Sequence, residues 1–128
     1  MGRLMVRQTL SAVTGACMLI SKDCRVATGY LDETTFAIAY NDIDYCLRAG
    51  ERGFRTVWTP FATLLHHESA SRGSEETAAN KPRFLREQEA LRAKYELESY
   101  VDRALNPWYG RHSSKPGPAS LEQLPEPR

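Results

Sequence analysis

The stretch that decides the fold is NDIDYCLRAGERGFRTVWTP, residues 41–60. Its first part carries apolar residues at the i, i+3, i+4 spacing of one helix face, namely Ile43, Cys46 and Leu47. Asn41 or Asp42 can cap the first turn of such a helix, and Gly53 is suited to end it. The pattern therefore predicts a helix over residues 40–52.

Three neighbouring runs have the composition of strands. Residues 54–58 are rich in strand formers and stop before Pro60, and residues 62–66 are a second short candidate. Residues 12–20 are apolar without polar alternation, which predicts a strand buried on both faces. Gly15 within that run leaves room for another group to come close. A helix between strands is typical of an α/β layer.

The remaining segments divide the chain. Residues 21–25 are predicted to form a polar turn or short helix, and residues 69–79, rich in Ser, Gly and Glu, a loop. A second main helix is expected over about residues 80–97 because Pro82 fits a first turn. Its apolar stripe consists of Phe84, Leu91 and Tyr95, and we expect it to pack on the strands.

Length and composition limit the possible functions. With 128 residues, the chain is long enough for one domain, predicted over residues 1–105, with a Pro-rich and disordered tail over 106–128. A formal charge of +1 gives no strong attraction to nucleic acid, and glutamates interrupt the one basic helix. No apolar run is long enough to span a bilayer, so a cytoplasmic location is expected.

The three cysteines are not spaced like a disulfide framework or a zinc site. Cys17, Cys24 and Cys46 form no CxxC pair and are odd in number. We expect them to be buried as small apolar side chains.

The acids in the sequence Asp-Ile-Asp suggest a DxD metal site, but helical geometry argues against one. Positions i and i+2 of a helix point about 200° apart around its axis, so Asp42 and Asp44 cannot reach the same ion. We therefore expect separate roles for them. Asp44 is interpreted as a first-turn acid favoured by the helix dipole. Arg48 can pair with Asp44 at i, i+4.

Four separated motifs together resemble the C-terminal, acceptor-side half of a family-two glycosyltransferase with the GT-A fold. They are AVTGACMLISK (12–22), GYLDE (29–33), the stretch 41–60, and HHESASRG (66–73). The resemblance covers roughly residues 3–110 and is strongest to bacterial, rhamnosyltransferase-like enzymes of O-antigen and polysaccharide biosynthesis. It implies a partial GT-A fold of the α/β class, with mixed strands and two main helices.

The resemblance also implies roles at the reacting centre. In the family an acidic pair, most often Glu-Asp, stands at this helix start, and its aspartate is the general base that deprotonates the acceptor hydroxyl. Here the pair is Asn41-Asp42, so Asp42 matches the base and the glutamate is missing. His66 corresponds to a histidine that completes the coordination of a divalent metal, Mn²⁺ or Mg²⁺.

Other residues are placed around the substrates by the same resemblance. Thr14, Gly15 and Ala16 match a small-residue strand beside the transferred sugar. Asp32 matches an acid on the acceptor side, and Arg72 lies in a loop that can close over phosphate oxygens.

Each of these residues also has a purely structural interpretation. Asp42 can be a helix cap, alone or with Asn41 capping while Asp42 projects. Asp32 can stabilise a turn, His66 can be an ordinary hydrogen-bonded histidine, and Arg72 can belong to a solvated loop.

The nucleotide-binding half of such an enzyme, which carries the main metal ligands, has no counterpart in this sequence. We therefore expect the metal, the nucleotide-sugar donor and the glycan acceptor to bind only with that half, and the isolated chain to show little transfer. The location expected from the resemblance is the cytoplasm, including the inner face of the membrane. The alternative is a non-catalytic split or degenerate half that binds glycan or a separate chain supplying the other half.

Overall fold

A computed structural model of the chain describes residues 5–65 and 77–100. In chain order the regular elements are strand β1 (Gln8–Leu10), a 3₁₀ turn (Gly15–Cys17), helices α1 (Lys22–Thr28) and α2 (Asn41–Glu51), strand β2 (Thr56–Trp58) and helix α3 (Lys81–Tyr95). The predicted domain end at residue 105 and the tail lie outside the described residues.

The two strands form a small antiparallel ribbon, with Thr9 opposite Val57. Strand β2 confirms the run predicted at 54–58, whereas β1 was not predicted. Each strand has three residues, and a two-stranded ribbon of this size is marginal without packing on one face. The ribbon therefore depends on its contact with α2.

The strand predicted over residues 12–20 is wrong. This segment contains the 3₁₀ turn and otherwise irregular backbone, and Leu19 is fully exposed. The prediction that residues 62–66 form a strand is wrong for 62–65, which are irregular, with Leu64 and Leu65 exposed. A strand needs a hydrogen-bonded neighbour, and only β1 and β2 pair among the residues that the structure describes.

Helices α1 and α2 confirm the predictions for their regions, but the predicted cap of α2 is wrong. Ser21 caps α1 by accepting a hydrogen bond from the Cys24 N–H at 3.2 Å. Helix α2 begins after Tyr40, which has a left-handed backbone and makes no side-chain cap bond. Gly53 follows the helix end with a positive φ of 85°, as expected for a stop residue.

The main hydrophobic core lies between α1, α2 and the irregular segment before α1. It consists of Cys24, Tyr45 and Ala49, against which Met18, Ile20 and Phe54 pack. The prediction of buried cysteines is confirmed for Cys24 and Cys46 and is wrong for Cys17, which is exposed.

Helix α3 begins at Lys81 with a proline in its first turn, as predicted. Its closest partners are the segment before α2 and the first turn of α2, so the prediction that it packs on the strands is wrong. Leu91, on the apolar stripe of α3, is buried, and Glu87, one turn before it on the same face of the helix, has no exposed surface. Within residues 5–65 and 77–100, the helices lack the length and apolar character that a membrane span requires.

Candidate functional site

Asp42 lies in the first turn of α2 and projects toward the 3₁₀ turn. Its Oδ2 accepts a hydrogen bond from the Gly15 N–H at 2.7 Å, and its Oδ1 accepts one from the Ile43 N–H at 2.8 Å. Residues 27 positions apart in the sequence are thus joined directly. The structure therefore brings together two of the residues predicted for the site, Asp42 and Gly15.

The residues flanking Gly15 complete a small-residue cradle beside Asp42. Thr14 precedes the 3₁₀ turn, and its Oγ1 accepts a hydrogen bond from the Ala16 N–H at 3.3 Å. A Cβ added at Gly15 would lie 3.1 Å from the Asp42 Cβ, which is closer than ordinary van der Waals contact. The absence of a side chain at position 15 is what allows the carboxylate to approach the backbone.

Substituting this glycine should loosen the site. We expect Gly15→Ala to lower the free energy of unfolding by about 1 kcal/mol and to weaken the hydrogen bond to Asp42, because the added methyl group pushes the two segments apart. Urea unfolding measures the first effect. Gly50→Ala is the matched control: nothing lies within 4 Å of the added Cβ, so the better helix former should stabilise α2 by about 0.5–1 kcal/mol. Equal effects of the two substitutions would contradict the close approach.

A wide apolar groove opens beside the cradle, with a volume of about 950 Å³. Thr14 and Ala16 lie at its wall, together with side chains from α2, from β2 and from residues 62–65. Cys46, Trp58 and Leu65 are among the apolar side chains that line it. The groove is therefore a large uncovered apolar surface that borders the cradle at Thr14 and Ala16.

Asp44 occupies a different environment from Asp42. It has no exposed surface, and its carboxylate accepts hydrogen bonds from three side chains: Arg48 Nε at 2.7 Å, Lys94 Nζ at 2.6 Å and Tyr95 Oη at 2.7 Å. The predicted i, i+4 pair with Arg48 is confirmed. The two donors from α3 were not predicted, and they make Asp44 the polar link between α2 and α3.

Arg48 extends this link to α1. Its Nη1 donates to the Thr28 carbonyl at 2.8 Å, and its Nη2 donates to the Tyr30 carbonyl at 2.9 Å. The carbonyls at the end of α1 are thereby satisfied by a cation, which also complements the negative end of that helix dipole.

Asp32 is placed with this cluster rather than beside Asp42. Its Oδ1 accepts hydrogen bonds from the N–H groups of Thr34 and Thr35, and its Oδ2 lies 3.9 Å from Lys94 Nζ. The backbone hydrogen bond from Thr35 is the main reason that the pKa of Asp32 is lowered. Lys94 also binds Asp44, which points about 200° away from Asp42 around α2. The geometry of Asp32 is therefore that of a turn-stabilising aspartate.

The network around Asp44 makes stability depend on pH. Burial alone raises the pKa of Asp44, but the hydrogen bonds from Lys94, Tyr95 and Arg48 outweigh it and lower the pKa below its ordinary value. Burial and the bond to Asp44 raise the pKa of Tyr95. A carboxyl whose pKa is lower in the folded state adds stability above its unfolded pKa, and this stability is lost as the pH falls through the folded pKa.

We therefore expect the free energy of unfolding to decline as the pH is lowered below about 4. Urea unfolding between about pH 6 and about pH 2.5 measures this decline. Asp44→Asn should make it shallower, since the substituted side chain no longer takes up a proton. The same steepness in the variant and in the unaltered chain would contradict the role of Asp44.

His66 and Arg72, the two other residues predicted for the site, lie outside the described residues. In the ranges that the structure describes, no group of three or more His, Cys, Asp or Glu side chains is arranged to hold a metal ion. The described part of the chain therefore does not supply a donor set for the expected Mn²⁺ or Mg²⁺.

Two curated proteins are similar to this chain. It is 44% identical over 105 residues to the uncharacterized protein y4gI of Sinorhizobium fredii (strain NBRC 101917 / NGR234). The aligned region covers 82% of this chain and 12% of that protein. It is 36% identical over 64 residues to the O-antigen biosynthesis protein RfbC of Myxococcus xanthus. This aligned region covers 50% of this chain and 5% of that protein. The chain thus spans a small part of the length of these relatives. No model of a known protein family matches it, and no solved structure matches it.

Proposed function

We propose that this chain forms the acceptor side of an inverting glycosyltransferase with a partial GT-A fold, which transfers a sugar from a nucleotide-diphosphate donor to a glycan acceptor. The observation that carries the proposal is the Asp42 carboxylate, fixed 2.7 Å from the Gly15 N–H at a cradle of small residues. The partial similarity to a protein named for O-antigen biosynthesis supports polysaccharide biosynthesis as the setting.

Asp42 is suited to act as the general base. Each carboxylate oxygen accepts one backbone N–H and keeps a second lone-pair direction for a hydroxyl hydrogen. Two backbone donors hold the carboxylate in one orientation, which a positioned base requires. In the proposed step the acceptor oxygen forms a bond to the anomeric carbon while its proton passes to Asp42. The bond to the nucleotide diphosphate breaks, and that leaving group takes the electron pair.

The cradle is suited to sit beside the transferred sugar. Gly15 has no side chain, Ala16 has only a methyl group, and the Thr14 hydroxyl already accepts a backbone bond, so bulky groups do not fill the space next to Asp42. His66 and Arg72 are proposed to contribute a metal ligand and a phosphate contact, respectively. A divalent ion would neutralise charge on the departing diphosphate when the nucleotide-binding half is present.

The second candidate function is a non-catalytic module that binds a glycan or docks on another polypeptide. The apolar groove of about 950 Å³ favours it, because contiguous apolar surface of this kind is typical of protein contacts. In this alternative, Asp42 only fastens the 3₁₀ turn to α2. The chain then contributes binding surface and no proton transfer.

Substitution of Asp42 by Asn separates the two candidates. Loss of sugar transfer with glycan binding retained supports the general base. Unchanged biological activity of the variant supports the binding module. The gene product should be purified from its own cells, so that any chain or segment supplying the nucleotide-binding half is included.

A further inference from the structure

We infer that helix α3 positions the general base, and that Glu87 is the positioning residue through which it does so. This inference rests on the proposed function of Asp42 for its catalytic meaning. It concerns a part of the chain that the sequence motifs do not include. The contacts that carry it join α3 to Ala39 and Tyr40, the two residues immediately before α2.

The backbone before Asp42 is held in an unfavourable conformation. Tyr40 has φ 65° and ψ 1°, the left-handed region that a bulky L residue seldom adopts. Such a conformation is strained and persists only where the surroundings enforce it. It lies two residues before Asp42, at the point where the chain turns into α2. The direction of the first turn of α2 therefore depends on whatever holds Tyr40 in place.

The Glu87 side chain holds this turn through a hydrogen bond to the turn's backbone. Its Oε2 accepts a hydrogen bond from the Ala39 N–H at 2.6 Å, and the Arg83 guanidinium lies 3.5 Å from the same oxygen. Glu87 has no exposed surface, and its Oε1 is buried with no hydrogen-bond partner among the described residues. Burying a carboxylate whose second oxygen is unpaired is unfavourable. If packing were its only role, an apolar side chain would be more favourable at this position. We therefore assign the hydrogen bond to the Ala39 N–H as the role of Glu87.

Two further residues of α3 hold the Tyr40 side chain. The Phe84 and Tyr40 rings lie 5.3 Å apart between centroids, and Gln88 Nε2 donates to the Tyr40 hydroxyl at 3.2 Å. Phe84, Glu87 and Gln88 are at the i, i+3, i+4 spacing of one helix face. One face of α3 thus contacts both the Ala39 backbone and the Tyr40 ring. These two residues form the turn that orients Asp42 toward Gly15. Moving that turn moves the carboxylate.

The Gly15 amide proton in the 128-residue chain reports the position of Asp42 without any need for activity. A proton donated to a carboxylate at 2.7 Å is deshielded, so its NMR signal lies downfield. We expect Glu87→Ala to shift this signal upfield in the folded protein, because the turn relaxes and the bond lengthens. Glu87→Gln should largely restore it, since the amide oxygen can still accept from the Ala39 N–H. Glu89→Gln, an exposed glutamate on the same helix, is the matched control and should leave it unchanged.

The outcomes distinguish positioning from simple stabilisation. If Glu87 only stabilises the fold, Glu87→Ala lowers the unfolding midpoint while the Gly15 signal of the folded fraction stays in place, and the inference is overturned. Should Glu87→Ala not fold, Gln88→Ala replaces it and should move the same signal upfield by a smaller amount. An unmoved signal in that variant overturns the inference equally.

The consequence for catalysis is measured separately. In the transfer reaction, Glu87→Ala should lower kcat by up to about 10²-fold with little change in KM for the donor, as expected for a misplaced base. Normal transfer by an Asp42→Asn variant would overturn the proposed function, whereas the Gly15 signal would still report whether α3 positions the carboxylate. The two failures can therefore be told apart.

Discussion

We expect the substitution Asp42→Asn to lower kcat for sugar transfer by about 10²- to 10⁴-fold, the range that a positioned general base contributes. The amide has nearly the same shape as the carboxylate and can still accept the Gly15 or the Ile43 N–H, but it cannot take up the proton of the acceptor hydroxyl. KM for the donor should change little, because the substitution removes an interaction that operates in the transition state. The measurement is the initial rate of sugar incorporation into acceptor glycan by the purified gene product.

A matched control lies on the same helix. Glu51 is an exposed acid at the other end of α2, so Glu51→Gln removes one negative charge from that helix without touching the cradle. Its transfer rate should equal that of the unaltered chain. Asp42→Asn should also retain glycan binding and its unfolding midpoint, which shows that lost activity is not lost structure. Transfer by Asp42→Asn at the rate of the control would contradict the role of base and favour the binding module.

Helix α2 was predictable because its signals are local. The apolar spacing of Ile43, Cys46 and Leu47, together with Gly53 after its end, is contained in a dozen residues. The contacts of the Asp42 side chain were harder to predict from the sequence. Capping was one interpretation of the same residues, and Asp42 does accept the first-turn N–H of Ile43. Only the contact with Gly15, 27 positions earlier, shows that the carboxylate also projects from the first turn.

The prediction of a strand over residues 12–20 is wrong because an apolar run indicates only that a segment tends to be buried. It does not state which partner covers it. In the described part of the chain no strand pairs with this run, and Leu19 is left fully exposed beside the apolar groove. Strand β1 escaped prediction for the opposite reason: three residues are too few to show alternation, and its pairing partner is almost 50 positions away.

The buried acids were missed because their partners are distant in sequence. Asp44 receives Lys94 and Tyr95 from 50 and 51 positions away, and no spacing rule predicts such contacts. For Glu87 a signal did exist. It lies three residues after Phe84 and four before Leu91, so it interrupts the apolar stripe of α3 at a position that faces the interior. A charged residue on an apolar stripe predicts a buried partner, here the Ala39 N–H.

Asp44→Ala should be the most destabilising single substitution that the described residues offer, lowering the free energy of unfolding by about 3 kcal/mol. Removal of one partner from a buried ionic cluster costs roughly 3–5 kcal/mol because the remaining charges lose their compensation. We take the lower end for two reasons. The Lys94 side chain is 37% exposed and can turn to water, and Arg48 keeps its bonds to two backbone carbonyls.

Urea unfolding followed by circular dichroism measures this effect, with two comparisons that identify its cause. Asp23→Ala removes an exposed first-turn acid from α1 and should cost less than about 1 kcal/mol, since only the helix dipole is affected. Asp44→Asn keeps the shape and one acceptor oxygen, so its loss should fall between the two. Because Asp44 joins α2 to the C-terminal end of α3, Asp44→Ala should also loosen that end, and the Tyr95 hydroxyl should then ionise at a lower pH. A loss for Asp44→Ala no larger than that for Asp23→Ala would show that the two helices are held together without this carboxylate.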